Sequence, residues 1–233
     1  MKKKWLIPIL MTAAIFAAFF IYTGTIYHAD AAALAALESD SLVSVSQTGF
    51  GWFFDGPSDD KALIFYPGAR VEETAYAPLM HRLAEQGLDA CLVSMPLDLA
   101  LFNINEALDI QDQYEYEKWY IGGHSLGGAM AALCAAEHGE HFSGMILLAA
   151  YPTKVLDDHL VLISIYGSED RVLNMERLNK GRKYEPEHSA EYVIEGGNHC
   201  QFGNYGMQRG DGEASISAEE QQEQAAGIIL KNI

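Results

Sequence analysis

From residue 62 to residue 229 the chain repeats one pattern: a short apolar run, a turn marked by Gly or Pro, then a stretch with helical periodicity. Residues 62–66 form an uninterrupted apolar run closed by Pro67-Gly68, as in a strand buried on both faces. A helical pattern follows, with Tyr76, Leu79, Met80 and Leu83 on one face and Gly87 as its stop. Residues 88–94, 119–122, 145–150, 160–166 and 191–195 read as further strands, and 103–116, 126–138, 171–183 and 218–229 as helices. Ahead of these, 41–47 and 50–54 flank Thr48-Gly49 and predict an antiparallel hairpin. Strands separated by helices pair side by side only through crossovers. The pattern therefore predicts an α/β fold, a mostly parallel sheet with helices on both faces. No inserted stretch is long enough for a cap domain, so an open site is expected.

The amino terminus stands apart. Lys2, Lys3 and Lys4 precede 18 uncharged residues, 5–22. A membrane-spanning helix takes about 20 residues and at least ~17. A signal-peptide core takes roughly 7–15. Residues 1–27 are thus expected to be a membrane anchor or signal segment, with Ala29-Asp30-Ala31 a possible cleavage pattern. The lysines keep that end cytoplasmic. The predicted location is membrane-anchored with an extracytoplasmic domain, or secreted if the segment is cleaved. Ala-rich residues 28–40 read as a spacer or short helix, and 41–233 as the folded domain. With 15 Lys+Arg against 32 Asp+Glu, the net charge of −17 argues against a nucleic-acid partner. Hydrophobic residues at 49% exclude a disordered chain. Cys91, Cys134 and Cys200 are too few and too scattered for a disulfide framework or a zinc site.

Gly122-Gly123-His124-Ser125-Leu126-Gly127-Gly128 stands between a predicted strand and a predicted helix. A sharp strand-to-helix turn strains the residue at its apex and needs glycine where neighbouring backbone comes close, so G-x-S-x-G in this place marks Ser125 as a nucleophile. A serine hydroxyl needs a base. Of eight histidines, His199 alone follows a strand within a loop, Glu195-Gly196-Gly197-Asn198, that would present it at the carboxyl edge of the sheet, where open α/β sheets place their sites. The base in turn needs an acid to hold its tautomer. Asp170, at the end of the run 160–166, is favoured, with Glu169 the neighbouring alternative. For an oxyanion hole the backbone N–H of Leu126 is one donor. The second is expected from Pro67-Gly68-Ala69-Arg70, with Ala69 preferred and Arg70 the runner-up.

Around this set, Phe202, Asn204 and Tyr205 are expected to line a pocket beside the base, and Met95-Pro96-Leu97-Asp98 to form another wall. Asp211 and Glu213 lack the further ligands a calcium site needs and read as a flexible loop. Cys200 is a candidate redox-sensitive thiol or a packing residue. Arg70 is a candidate contact for a substrate carboxylate. No metal and no cofactor is implied.

Four segments, Phe65-Tyr66-Pro67-Gly68, Gly123-His124-Ser125-Leu126-Gly127-Gly128, Tyr166-Gly167-Ser168-Glu169-Asp170 and Gly196-Gly197-Asn198-His199, together resemble the α/β-hydrolase superfamily over about residues 41–233. Within it they resemble the small, lidless fold-5 members related to dienelactone hydrolases. The resemblance implies Ser125 as nucleophile, Asp170 as acid and His199 as base. Two departures matter: dienelactone hydrolases use a cysteine nucleophile, which Ser125 replaces, and the usual His-Gly of the oxyanion loop is Pro67-Gly68 here. The expected activity is that of an esterase-like serine hydrolase acting on a carboxylic ester, thioester or small lactone through an acyl-enzyme. The alternatives are a non-catalytic surface binding or scaffold protein with this fold, and an envelope acyltransferase. Superfamily membership does not choose the substrate.

Overall fold

The computed structural model describes residues 23–58 and 60–233. Its centre is a single eight-stranded sheet in the order β1-β2-β4-β3-β5-β6-β7-β8. The strands are β1 (Ser44–Gln47), β2 (Gly51–Asp55), β3 (Lys61–Tyr66), β4 (Asp89–Val93), β5 (Lys118–His124), β6 (Gly144–Leu148), β7 (Val161–Gly167) and β8 (Ser189–Ile194). β1 and β2 form the expected antiparallel hairpin, β2 runs antiparallel to β4, and every pairing from β4 to β8 is parallel.

The continuous apolar runs mark the strands covered on both sides: every residue of β4 and β6 is buried. Side chains of β3 alternate between two cores, as the two-residue repeat of a strand requires. Leu63 and Phe65 pack with Leu79, Met80 and Leu83 of α2 (Ala77–Glu85) and with Ala225 and Ile229 of α6 (Ala218–Lys231). Ala62, Ile64 and Tyr66 pack with Ile110 of α3 (Glu106–Gln111) and with Ala131 and Cys134 of α4 (Leu126–Glu137). Each fully buried Leu, Ile or Phe stabilises the fold by about 1.5–3 kcal/mol relative to exposure. α4 buries Gly127, Gly128, Ala131, Ala132 and Ala135, and these small side chains bring its axis close to the sheet.

Three segments depart from the sequence reading. The helix expected over 103–116 is only Glu106–Gln111. Its first turn is set by the Tyr66 hydroxyl, which accepts from the Ala107 N–H and donates to the Ile104 carbonyl. Its end is set by aromatic docking, with Tyr114 against Phe50 and Phe53 and Tyr116 against Trp119. The helix expected over 171–183 starts only at α5 (Met175–Gly181), because residues 171–174 wrap the Asp170 carboxylate instead.

The stretch expected as a spacer, 28–40, is docked on the domain. It contains the short helix α1 (Ala31–Ala35), capped by Asp30, and Ala33 is fully buried. Tyr27 forms a parallel bridge to Val71, donating to the Arg70 carbonyl and accepting from the Glu72 N–H. The Asp30 N–H bonds to Asn204, and the His81 ring reaches both Ala36 and Asp40. Small alanine side chains permit this close approach. Among the described residues no helix is long and apolar enough to cross a membrane. Most of the expected anchor or signal segment 1–27 lies outside the described residues.

Candidate active site

Ser125 occupies the turn from β5 into α4 at φ 53°, ψ −120°, the left-handed side of the map that non-glycine residues rarely visit. Such a conformation costs roughly 1–3 kcal/mol and persists only where the surroundings hold it. Here the Ser125 N–H still extends the ladder to the Leu148 carbonyl at 2.9 Å, while the next residue already begins α4. The flanking glycines are required by space. A Cβ on Gly127 would stand 2.2 Å from the Pro67 carbonyl oxygen, and one on Gly123 would stand 2.6 Å from that of Tyr66. The turn is thus pressed against the loop that follows β3.

Asp170 follows β7 and His199 follows β8. His199 Nδ1 lies 2.8 Å from Asp170 Oδ2, and both side chains are 1% exposed. Asp170 Oδ1 accepts from the N–H groups of Val172 and Leu173, each at 2.8 Å. A carboxylate only accepts, so Nδ1 carries a proton, and in the neutral ring Nε2 is the nitrogen with the lone pair. That Nε2 is buried without a hydrogen-bond partner. It therefore makes no hydrogen bond to Ser125, but His199 and Ser125 border one cavity of about 320 Å3, together with Leu126, Tyr151, Leu173 and Arg177. Leu126 opens α4, so its N–H belongs to the group of helix N-terminal donors that have no intrahelical acceptor. Ala69 is half-buried and does not border this cavity.

His124 turns away from the cavity. Its Nδ1 lies 2.8 Å from the Tyr76 hydroxyl, which also accepts the Gly68 N–H at 3.1 Å. Its ring centroid is 4.5 Å from that of His199. Burial, and then the neighbouring His199, hold its pKa well below the ordinary 6.5, so the ring backing His199 is neutral.

Several residues do other work than their sequence context suggested. Phe202 packs against His124, and Tyr205 against Tyr27 and Tyr76; neither borders the Ser125 cavity. Asn204 is bonded to Gln222 at 2.7 Å and borders a separate cavity. The Asp98 carbonyl accepts the Arg70 N–H at 2.8 Å, so the 95–98 segment braces the loop after β3 and is no wall of the site. The Arg70 side chain does not border the cavity either; the cation that does is Arg177. Cys200 is a buried free thiol pushed up to about 11, chiefly by burial, and sits 3.4 Å from Asn198 Oδ1 as packing.

The sequence reading missed the brace of the His199 loop. Asp211 Oδ2 accepts the Cys200 N–H at 2.9 Å, and its Oδ1 accepts the N–H groups of Arg171 at 3.3 Å and Gly212 at 2.8 Å. One carboxylate thereby ties the residue after His199 to the residue after Asp170. Asn198 is held from the other side, its N–H and C=O bonded to the buried Gln221 side chain and its Nδ2 to the Gly212 carbonyl. Nothing in Gly210-Asp211-Gly212 as a string announces this, since all the partners but Gly212 itself are distant in sequence. Among the described residues no group of three or more His, Cys, Asp or Glu could hold a metal ion. Asp211→Ala removes three bonds accepted by a charged group outside the cavity, from Cys200, Arg171 and Gly212, each worth about 1.5–3 kcal/mol in stability. It is expected to lower the melting temperature by several degrees, read in a thermal unfolding curve. An unchanged melting temperature would show that Asn198 and Gln221 hold the loop alone.

Residues 62–223, more than half of the chain, match the family described as the alpha/beta hydrolase family. No curated protein matches the chain by sequence. Among solved structures it is similar to a bacterial membrane phospholipase A, at 13% identity over 100% of each chain with a TM-score of 0.60. It is also similar to the carboxylesterase CesB (YbfK) of Bacillus subtilis, at 11% identity over 93% of this chain and 97% of that one with a TM-score of 0.57. A dienelactone hydrolase of Anabaena variabilis aligns at 14% identity over 84% and 99% with a TM-score of 0.56. At these identities the likeness is one of fold. The strand order, the Ser125 turn and the family match lead to one assignment: the chain belongs to the alpha/beta hydrolase family.

Proposed function

We propose that the protein is a serine hydrolase that cleaves carboxylic esters through an acyl-enzyme, with Ser125 as nucleophile, His199 as general base and acid, and Asp170 as its orienting partner. The observation that carries this reading is the His199–Asp170 bond, which leaves Nε2 unprotonated on the border of the cavity that holds Ser125. Hydroxyl-to-imidazole contacts of this kind are often open in unliganded enzymes and close on the substrate.

In the first step Oγ bonds to the acyl carbon while its proton passes to Nε2. The tetrahedral oxyanion is held by the Leu126 N–H and by a donor from the loop after β3. In that loop the N–H groups of Gly68, Arg70 and Val71 are engaged by Tyr76, Asp98 and Gly68, which leaves the Ala69 N–H as the loop donor of this proposal, although Ala69 is not among the residues that border the Ser125 cavity. The bond to the alcohol oxygen then breaks and that oxygen takes the proton from Nε2. Water enters and attacks the acyl carbon while giving a proton to Nε2; the acyl–Oγ bond then breaks, Oγ takes the proton back from Nε2, and the acid is released. The similarity to an esterase fold supports this class. The test is hydrolysis of aryl esters together with labelling by a fluorophosphonate, comparing the wild type with Ser125→Ala.

We also propose that residues 1–27 hold the domain at a membrane on its extracytoplasmic side. Lys2–Lys4 and the uncharged run 5–22 support this, and so does Tyr27, which bridges to Val71 and so joins the chain to the domain beside the loop after β3. In cell fractionation the full chain is expected in the membrane pellet, resistant to high salt. Recovery in the soluble cytoplasmic fraction would refute the anchor.

A further inference from the structure

Beside the Ser125 cavity lies a second hollow of about 480 Å3, and the two share Leu126, Ala129, Tyr151 and Arg177. Its walls include Leu126, Ala129, Pro152 and the Tyr184 ring, which are largely apolar, and its remaining border carries Arg177, Lys180 and Lys183. Gly181 brings the end of α5 down on this wall, where a Cβ would stand 3.0 Å from the Pro152 carbonyl oxygen. Arg177 and Lys180 are three residues apart on α5, so they project from one side of it.

The charge of this border runs against the rest of the molecule. The chain has 32 acidic residues and only 15 Lys+Arg, yet three of those cations stand around one groove. Their partners are few. Lys180 meets Glu176 at 2.6 Å in an exposed pair, and Lys183 lies 4.6 Å over the Tyr184 ring. Arg177 forms no ion pair among the described residues, and it borders both hollows. A largely apolar hollow that adjoins the nucleophile's cavity and is bordered by three cations matches a molecule with an apolar arm and an anionic end.

We propose that the preferred substrate is an ester whose arm beyond Leu126 is apolar and ends in an anionic group, held by Arg177 with Lys180 and Lys183. The proposal rests on Ser125 as the nucleophile and adds the substrate class. It replaces Arg70, which does not border the site, by Arg177. The cations are exposed, so the effect is that of screened pairs: about tenfold in kcat/KM at low ionic strength, shrinking as salt is added.

The test uses the full-length protein and two matched pairs of esters. One pair places the charge on the acyl side, mono-4-nitrophenyl adipate against 4-nitrophenyl hexanoate. The other places it on the alcohol side, the acetate of 4-hydroxybutanoate against butyl acetate. The readout is the ratio of kcat/KM for the anionic over the neutral ester. A ratio near ten in at least one pair, falling with salt and collapsing toward one in Arg177→Gln/Lys180→Gln/Lys183→Gln, is the expected result. A ratio near one in both pairs for the wild type overturns the proposal, as does a ratio that the triple substitution leaves unchanged. Failure of the underlying reading looks different: no turnover of any of the four esters and no fluorophosphonate labelling, which overturns both.

Discussion

Ser125→Ala is expected to lower kcat for ester hydrolysis by on the order of 10⁶-fold and to abolish fluorophosphonate labelling, because it removes the atom proposed to form the acyl-enzyme. The fold is expected to survive. Alanine at φ 53° carries the same backbone strain as serine, and no side-chain capping bond from Ser125 to α4 is lost. The change in unfolding free energy should stay within about 0.5 kcal/mol, as for substitutions that touch no core or network. Initial rates on an aryl ester, intact-mass measurement of the adduct and a chemical denaturation curve check the three statements. Retained labelling with an intact fold would remove Ser125 from the mechanism, and the esterase reading with it.

Asp170→Asn is expected to cost about 10⁴-fold in kcat with little loss of stability. The argument is geometric. Asp170 Oδ1 accepts two backbone N–H groups, from Val172 and Leu173, and only an oxygen can do so. The asparagine oxygen must therefore take that place, which turns its NH2 toward His199 Nδ1. The imidazole is then forced to accept at Nδ1 and to carry its proton on Nε2, where it can no longer take one from Ser125. The ground-state hydrogen bonds are all kept, so the loss falls on kcat and on labelling rate and leaves the melting temperature nearly unmoved. A mutant that hydrolyses esters at a rate near that of the wild type would show that Asp170 does not set the tautomer. An unfolded mutant is excluded in the same experiment by its melting curve.

How much of this was legible from the chain depends on the distance over which each feature is decided. The buried parallel strands were readable because a strand covered on both faces must be apolar throughout, as 62–66 and 145–148 are. The Ser125 turn was readable because its demands are local, with glycine two residues on either side. Asp170 and His199 were readable as the ends of strands at one edge of a sheet. Helix limits were not. In residues 171–174 the N–H groups of Val172 and Leu173 are captured by Asp170 and that of Arg171 by Asp211. Residues 112–117 are drawn off by Tyr114 and Tyr116 docking on side chains from other strands.

The residues that support the site were hidden for the same reason. Asp211 is one acid among 32 until the fold places it between Cys200 and Arg171. Arg177 looks like any cation on a solvated helix until α5 settles against Tyr151 and Pro152 and places it on the border of the cavity that holds Ser125.

The sequence by itself determined the layered α/β architecture, the strained serine turn and the order of the three side chains proposed to act, since periodicity and turn chemistry are properties of neighbouring residues. Only the tertiary structure decided the bond between His199 Nδ1 and Asp170, which N–H groups of the loop after β3 are engaged, and the cationic border of the groove. Each of these depends on segments that meet only in the folded chain, and a hydrogen bond or an ion pair exists only once folding has brought its two ends within about 3–4 Å.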